Sequence, residues 1–327
     1  MIANQWYAVL DSKEVKSNKP IGVLRMGERL AFWRTTDGEV VCMRDLCPHR
    51  GAALSKGKLI ENRLQCPFHG FEFNREGACV RIPANGVDGP VPKAMRAHTY
   101  PAKEQNGFIW IWWGDWQENL PGIPQLDEID ETFSYSTIRD HWKTHYSRAI
   151  ENQLDVSHLP FIHATTIGRG ERTVVDGPFS ECCIDGNSLY VWVSNRVDDG
   201  RPALGPGEVK KPERHPSLQF VFPNVWQNWI SDNLRVVAAF SPIDDENTMM
   251  YLRFCQNFIT APGIKWLVNA FGAVGNFYIE RQDRWVVETQ RPKRSGLRIG
   301  EKPIPADQPI ILYRKQREAL ISTTNGD

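Results

Sequence analysis

The spacing of apolar and polar positions divides the chain into two parts. Through residues 1–115, short apolar runs at 22–24, 30–33, 40–43 and 108–113 alternate with turn residues such as Asp37-Gly38, Asn85-Gly86 and Gly89-Pro90. Runs of that length between Gly, Pro, Asn and Asp predict an all-β domain. The aromatic run at 108–113 fits a buried pleated strand better than an exposed stacking platform. Residues 114–124 are rich in Gly, Pro and acidic side chains and read as a linker.

The pattern then changes. Residues 134–142 predict a strand, and 147–159 a helix that Pro160 ends or kinks. Residues 164–177 show no periodicity and read as a loop, a lid or a plain connector. Strands are predicted at 179–184 and 189–194, joined by the hairpin signal Asp185-Gly186-Asn187, then at 218–222, 225–230, 234–240 and 249–258. Pro262 sets up a long helix over 263–289, and the tail becomes helical from 310. An antiparallel sheet with a long helix makes residues 116–327 a second domain and the whole chain α+β.

Composition narrows the class. The 327 residues suffice for two domains, and 41% hydrophobic with 24% charged is ordinary for a globular protein. Lys and Arg total 39, as do Asp and Glu, so no net charge recruits nucleic acid or an anionic membrane. No apolar run approaches the roughly 20 residues that span a bilayer. The start, Met-Ile-Ala-Asn-Gln-Trp, has no signal-peptide character, and a cytoplasmic protein is expected. In that setting the seven cysteines are expected as reduced thiols or metal ligands, not a disulfide framework.

Two stretches carry metal chemistry. Cys47-Pro48-His49 and Cys66-Pro67-Phe68-His69 are separated by 16 residues and each offers one thiolate and one imidazole. Zinc sites group Cys with Cys and His with His, whereas mixed pairs fit a Rieske [2Fe–2S] cluster. Cys42, Cys79, Cys182, Cys183 and Cys255 read as small buried residues. The second stretch, Glu151 to His163, holds Asn152, Asp155 and His158 as well. On one continuous helix Asp155 and His158 share a face, but His158 and His163 lie about 140° apart. They can share a metal only if the helix unwinds between them. A third ligand is sought on the long helix. Glu280 and Glu288 each stand four residues from Arg284 and read as solvated ion pairs. Asp283 lies on a stripe with Ile279, Val286 and Val287 that buries it, and a buried carboxylate needs a partner. Imidazoles and a carboxylate are the donors of a non-haem iron(II) site. His141 and His145 fall in a strand or linker and are not assigned a metal; His98 and His215 are given no role. Asn224, Asn228, Asn257, Trp226 and Trp229 suit a ligand pocket or turns and core equally.

Cys47-Pro-His-Arg-Gly-Ala52 and Cys66-Pro-Phe-His-Gly70, the Asn152/Asp155/His158/His163 spacing and Arg281-Gln-Asp-Arg-Trp-Val-Val-Glu288 resemble the Rieske non-haem iron oxygenases over nearly the whole chain. Phe71 departs from the family, which usually has Trp there. The resemblance implies a Rieske domain followed by a helix-grip catalytic domain, in which a sheet curls around a long helix. It implies that Cys47 and Cys66 hold one cluster iron and His49 and His69 the other. It implies that His158, His163 and Asp283 hold a mononuclear Fe(II). Asp155 would bridge His158 to His69 of a neighbouring chain, which implies a head-to-tail homotrimer. Asn152 would help orient the ligands. Glu151 is left open, as part of the site or as a helix N-terminal acid.

The activity implied is reductive activation of O₂ and attack on a C–H bond or aromatic ring. No Gly-x-Gly-x-x-Gly follows a strand, so electrons are expected from a separate NAD(P)H-dependent reductase, with or without a ferredoxin. The length, the ligand spacing and Lys302-Pro-Ile-Pro-Ala-Asp307 resemble the monooxygenase branch that includes dicamba and vanillate O-demethylases. The expectation is hydroxylation or oxidative O- or N-demethylation of a small aromatic acid. Arene cis-dihydroxylation, or electron carriage without oxygenase activity, are the competing readings.

Overall fold

A computed structural model of the chain describes residues 1–183 and 186–324. They divide into two compact units: residues 4–123 with 242–244, and residues 1–3 with most of the chain after 124.

The first unit is built of strands. In chain order they are β1 (Gln5–Asp11), β2 (Ile21–Arg25), β3 (Glu28–Arg34), β4 (Val40–Arg44), β5 (Lys58–Ile60) and β6 (Arg63–Gln65). β7 (Glu72–Phe73), β8 (Cys79–Arg81), β9 (Thr99–Tyr100), β10 (Ala102–Gln105) and β11 (Phe108–Trp113) follow. They form three small sheets, ordered β1-β11-β10, β2-β3-β4-β9 and β5-β6-β7-β8. The aromatic run is β11, and Phe108 to Trp112 are buried on both faces, as the sequence pattern requires of a central strand. The β5–β8 sheet matters most for function, because the connections entering β5 and leaving β6 carry the Cys–His pairs.

The second unit has the strands β12 (Ser134–Trp142), β13 (Val174–Val175), β14 (Phe179–Cys182), β15 (Ser188–Trp192) and β16 (Asn195–Arg196), then β17 (Leu218–Val221), β18 (Val225–Ser231), β19 (Leu234–Pro242) and β20 (Thr248–Gln256). Its helices are α1 (Tyr146–Leu154), α2 (Leu159–Ile162), α3 (Pro262–Val287) and α4 (Gln308–Thr324). Seven strands make one antiparallel sheet in the order β12-β20-β19-β18-β17-β15-β14. The long helix α3 packs on β12 and β20. Gly272 permits that approach, since a Cβ there would collide with the Phe254 ring of β20. None of the described helices is long and apolar enough to cross a membrane.

The β14–β15 hairpin forms, but two residues of the joining turn, Ile184 and Asp185, lie outside the described residues. Cys182 and Cys183 correct an expectation. They are half-buried and joined by a disulfide, because the left-handed backbone of Cys183 turns the strand end and brings adjacent sulfurs together. Cys42, Cys79 and Cys255 are buried free thiols.

The core of this unit gathers Trp142, Tyr146, Ile150, Leu189, Phe220 and Phe222. Tyr313 ties α4 to it. Its ring meets Phe220 edge-on at 5.4 Å and stacks on Phe222 at 5.7 Å. The side chain is fully buried and its hydroxyl has no hydrogen-bond partner. Tyr313→Ala is therefore expected to cost about 3–5 kcal/mol, read as a lower denaturation midpoint. Tyr313→Phe should change the midpoint little or raise it, since it removes only an unpaired buried hydroxyl.

Candidate active site

The two Cys–His loops share one backbone design. Gly51 N–H donates to Cys47 O at 2.8 Å, and Gly70 N–H to Cys66 O at 3.1 Å. Cys47 N–H donates to Ala52 O, and Cys66 N–H to Phe71 O, both at 2.8 Å. Gly51 and Gly70 have φ of +74° and +72°, the left-handed region that glycine enters without strain. Each loop is thereby closed with its thiol turned inward, and both cysteines are buried. The imidazoles of His49 and His69 lie 4.6 Å apart, centroid to centroid. Phe71 stacks on His49 at 4.7 Å with the planes 6° apart, so ring packing survives without the indole of the usual Trp.

These donors suit a cluster. Burial pushes the Cys47 thiol up to about 11, so a thiolate at that position is favoured by a bound cation. His49 Nδ1 is buried and has no hydrogen-bond partner. Two thiolates and two imidazoles are the donor set of a Rieske cluster, with one iron on the sulfurs and the other on the rings.

The second centre depends on a break in a helix. α1 does not continue to 159; it ends at Leu154, with Asp155 extended at its C-cap. Asp155 Oδ1 accepts from Ser157 N–H and Oγ–H, both at 2.7 Å, and these bonds replace those of a further helical turn. Asp155 and His158 therefore do not share a helix face. Pro160 does not end the helix either. It sits in the first turn of α2, where its missing N–H costs nothing. His158 and His163 cap the two ends of that single turn.

Both Nε2 atoms face Asp283 on α3. His163 Nε2 lies 3.0 Å and His158 Nε2 3.4 Å from Asp283 Oδ1. Asp283 is only 3% exposed and His163 1%, yet Oδ1 makes no hydrogen bond of acceptable geometry. On the far side of the rings, His163 Nδ1 bonds Gln282 Oε1 at 2.8 Å, and His158 Nδ1 faces Asp155 Oδ2 at 3.8 Å. An amide oxygen can only accept, so Gln282 keeps the proton on His163 Nδ1 and the Nε2 lone pair aimed at Asp283. Acceptor then faces acceptor in a buried site, an arrangement that a proton on the ring or a metal cation resolves. Two imidazoles and one carboxylate fit a divalent iron with open positions.

Burial lowers the His163 pKa, but Asp283 and Gln282 outweigh it and raise the value. For Asp155, burial raises the pKa, while His158 and Ser157 outweigh it and hold the carboxyl low. Sequence reasoning missed Gln282, because a glutamine beside a ligand has no signature of its own.

Several other expectations change. Glu280 is not a solvated partner of Arg284. It is 3% exposed, neither carboxylate oxygen has a partner, and burial, with Asp140 and Asp283 nearby, pushes its pKa well up. The sheet covers that side of α3, and Arg284 instead pairs with the buried Asp140 of β12. Glu288 accepts from Lys143 N–H at 2.8 Å. Glu151 is not an N-terminal helix acid. It lies in the second half of α1, buried, and binds Arg314 at 2.7 and 2.9 Å and Arg148 at 3.1 Å. Asn152 hydrogen-bonds neither histidine; its Nδ2 is buried without a partner and the residue lines the cavity around the triad.

That cavity measures about 250 Å³. A second, also about 250 Å³ and mostly apolar, shares with it Gln153, Ile167, Trp226, Asn228, Ile279 and Asp283. Trp226 and Asn228 are thus pocket residues. Asn224 instead donates to Phe240 O, Asn257 bonds Thr132, and Trp229 lies under the Arg235 guanidinium.

Comparison with known proteins identifies the family of both parts of the chain. Residues 5–101 match the Rieske [2Fe-2S] domain, and residues 142–323 the vanillate O-demethylase oxygenase C-terminal domain, which alone covers more than half of the chain. The chain belongs to the Rieske non-haem iron oxygenases. The dicamba O-demethylase oxygenase component of Stenotrophomonas maltophilia is 34% identical over 183 residues, 54% of this chain and 53% of that protein. The chloroplastic protein TIC 55 of Pisum sativum is 30% identical over 274 residues, 82% of this chain and 45% of that protein. The chain thus spans about half the length of these curated relatives, or less. The solved structure of Pseudomonas putida CBB5 NdmA shares the fold, with a TM-score of 0.78 at 24% identity over 99% of this chain and 92% of that one.

In this chain the helix that leads to the triad is capped by a buried histidine. His145 is the N-cap of α1 and accepts from Ser147 N–H, whereas His141 is exposed and bonded to Asn247. Burial, then Arg317, Arg294, the N-terminal amine and Arg148, push the His145 pKa down to about 2. Below its ordinary value of 6.5 the unfolded chain takes up a proton that the folded chain refuses. Stability from this group is therefore complete above pH 6.5 and lost as pH falls, by at most about 1.4 kcal/mol per pH unit. Denaturant titrations from pH 7 to 4.5 should show wild type losing stability faster than His145→Asn, which keeps a capping acceptor.

Proposed function

We propose that the chain is the terminal oxygenase of a multicomponent system and carries out O₂-dependent monooxygenation of a small, ring-sized organic substrate. The observation that carries the reading is the set of half-buried His158 with buried His163 and Asp283, opening on a mainly apolar cavity. In this reading Cys47, Cys66, His49 and His69 hold the [2Fe–2S] cluster and the triad holds Fe(II). When bound, the cluster supplies electrons one at a time and the ferrous ion supplies reductive activation of dioxygen.

The chain's own residues do the rest. Gln282 fixes the His163 ring and its tautomer, and Asp155 faces the Nδ1 edge of His158. The walls of Ile167, Trp226, Leu252, Phe254 and Ile279 exclude water and hold an apolar substrate beside Asp283. Asp155 links His158 to His69 of a neighbouring chain, in a homotrimer that receives electrons from an NAD(P)H-dependent reductase or its ferredoxin. The relatives named as O-demethylases favour hydroxylation or oxidative O- or N-demethylation.

Iron and acid-labile sulfide analysis tests the assignment. Wild type should hold about three irons per chain, and His158→Ala or Asp283→Ala about two with sulfide unchanged. Two irons in wild type would make the chain an electron carrier instead. With a reductase and ¹⁸O₂, one labelled oxygen atom in the oxidised product is expected; two in a diol would replace monooxygenation by cis-dihydroxylation.

A further inference from the structure

The second cavity holds polar atoms that the metal centre does not use. Glu280 lies three residues before Asp283 on α3, one turn or about 4.5 Å along the axis, and lines the cavity with it. Asn276 precedes Glu280 by four residues, so the two are neighbours on one helix face. Both Glu280 oxygens and Asn276 Nδ2 are buried and have no hydrogen-bond partner. Leaving three such atoms unpaired costs free energy that a ligand can recover. The rest of the wall is mainly apolar, including Ile230, Leu234, Val236, Leu252 and Phe254.

Charge narrows the ligand. Among the described residues no Lys or Arg lines this cavity or the one around the triad. An aromatic carboxylate held at the Glu280 end would find no cationic side chain, and it would sit beside Glu280 and Asp283, whose charge already partners the ferrous ion proposed at the triad. Burying an unpaired anion among acids is unfavourable.

We propose that Glu280 and Asn276 select the substrate, taking a ring whose polar head donates a hydrogen bond and bears no negative charge. The head donates to the Glu280 carboxyl and, where it has an acceptor, receives Asn276 Nδ2–H. About one helical turn separates this anchor from Asp283, so one ring spans from the anchor to the carbon to be oxidised. The proposal rests on the reading of these cavities as the substrate site, and it replaces the aromatic acid expected from the sequence.

A panel matched in shape tests it: 4-methoxybenzamide, 4-methoxyphenol, 4-methoxybenzamidine, 4-methoxybenzoate and 4-methoxytoluene. Dissociation constants are measured by anaerobic calorimetry on the full chain carrying its iron and cluster. At least one of the first three should bind at least about tenfold tighter than both the benzoate and the toluene. Which of them leads tells whether the head is an amide, a hydroxyl or a cation. Glu280→Leu should abolish that margin. Glu280→Gln should keep it for the amide or phenol and lose it for the amidinium. The proposal is overturned if the benzoate binds as tightly as the donors, if all five bind alike or none binds, or if Glu280→Leu leaves the order intact. Formaldehyde release is scored separately. Turnover of the benzoate in preference to the donors would sink the selection rule and leave the oxygenase standing. The expected binding order without turnover of any compound would do the reverse.

Discussion

A carboxylate buried between two imidazole lone pairs is unstable without a cation, and the second unit is arranged around that constraint. Asp283 could be exposed by a small rotation of α3, but the sheet holds the helix on β12 and β20, with Gly272 set against Phe254. The histidines could drift away, but they cap both ends of one helical turn and so keep a fixed separation. Behind them, α1 is tied to α4 through Glu151, which binds Arg314 and Arg148, while Glu301 bridges the same two guanidinium groups. Buried ion pairs return little net stability once desolvation is subtracted. Their effect here is positional: they fix the helix whose end sets up Asp155 and the turn into His158.

What could be read beforehand follows the range over which each signal acts. The Cys47/His49 and Cys66/His69 loops were legible because every determinant, from the thiol to the glycine that closes the turn, lies within five residues. Strands such as 134–142 and 218–221 were legible because alternating or continuous apolar runs report burial directly. The end of α1 was not, because a proline is a strong helix breaker on paper, while the actual break comes from the Asp155 side chain bonding Ser157. Glu280 was misread for a related reason. A four-residue spacing to Arg284 indicates an ion pair only when both groups are in water, and here a buried aspartate on a distant strand takes the arginine. The Gln282 contact depends on where a loop 119 residues earlier folds against α3, and nothing local announces it.

The two histidines are not equivalent, and the difference gives the site a direction. His163 is sealed: its Nδ1 is bonded to Gln282, which also accepts from Thr166 Oγ–H at 3.0 Å. The chain just beyond folds back on it, with Thr166 and Gly168 N–H both donating to His163 O. Gly168 lies so close to Leu159 O that a side chain could not be accommodated there. His158 is held loosely by comparison. Its Nδ1 has only the more distant Asp155 Oδ2, the one Asp155 oxygen not occupied by Ser157.

Asp155 also lines a polar cavity of about 330 Å³ with Asp307, Glu301 and Lys302. One side of the triad is therefore closed by internal bonds, another is apolar and sized for a ring, and the third leads through a carboxylate to a polar cavity. Electron entry and substrate entry need opposite environments, since a charged donor partner must be solvated and an apolar ring must not be. Under the proposed function, Asp155 on the polar cavity and Glu280 on the apolar one lie on different faces of the same triad, which keeps those two environments apart.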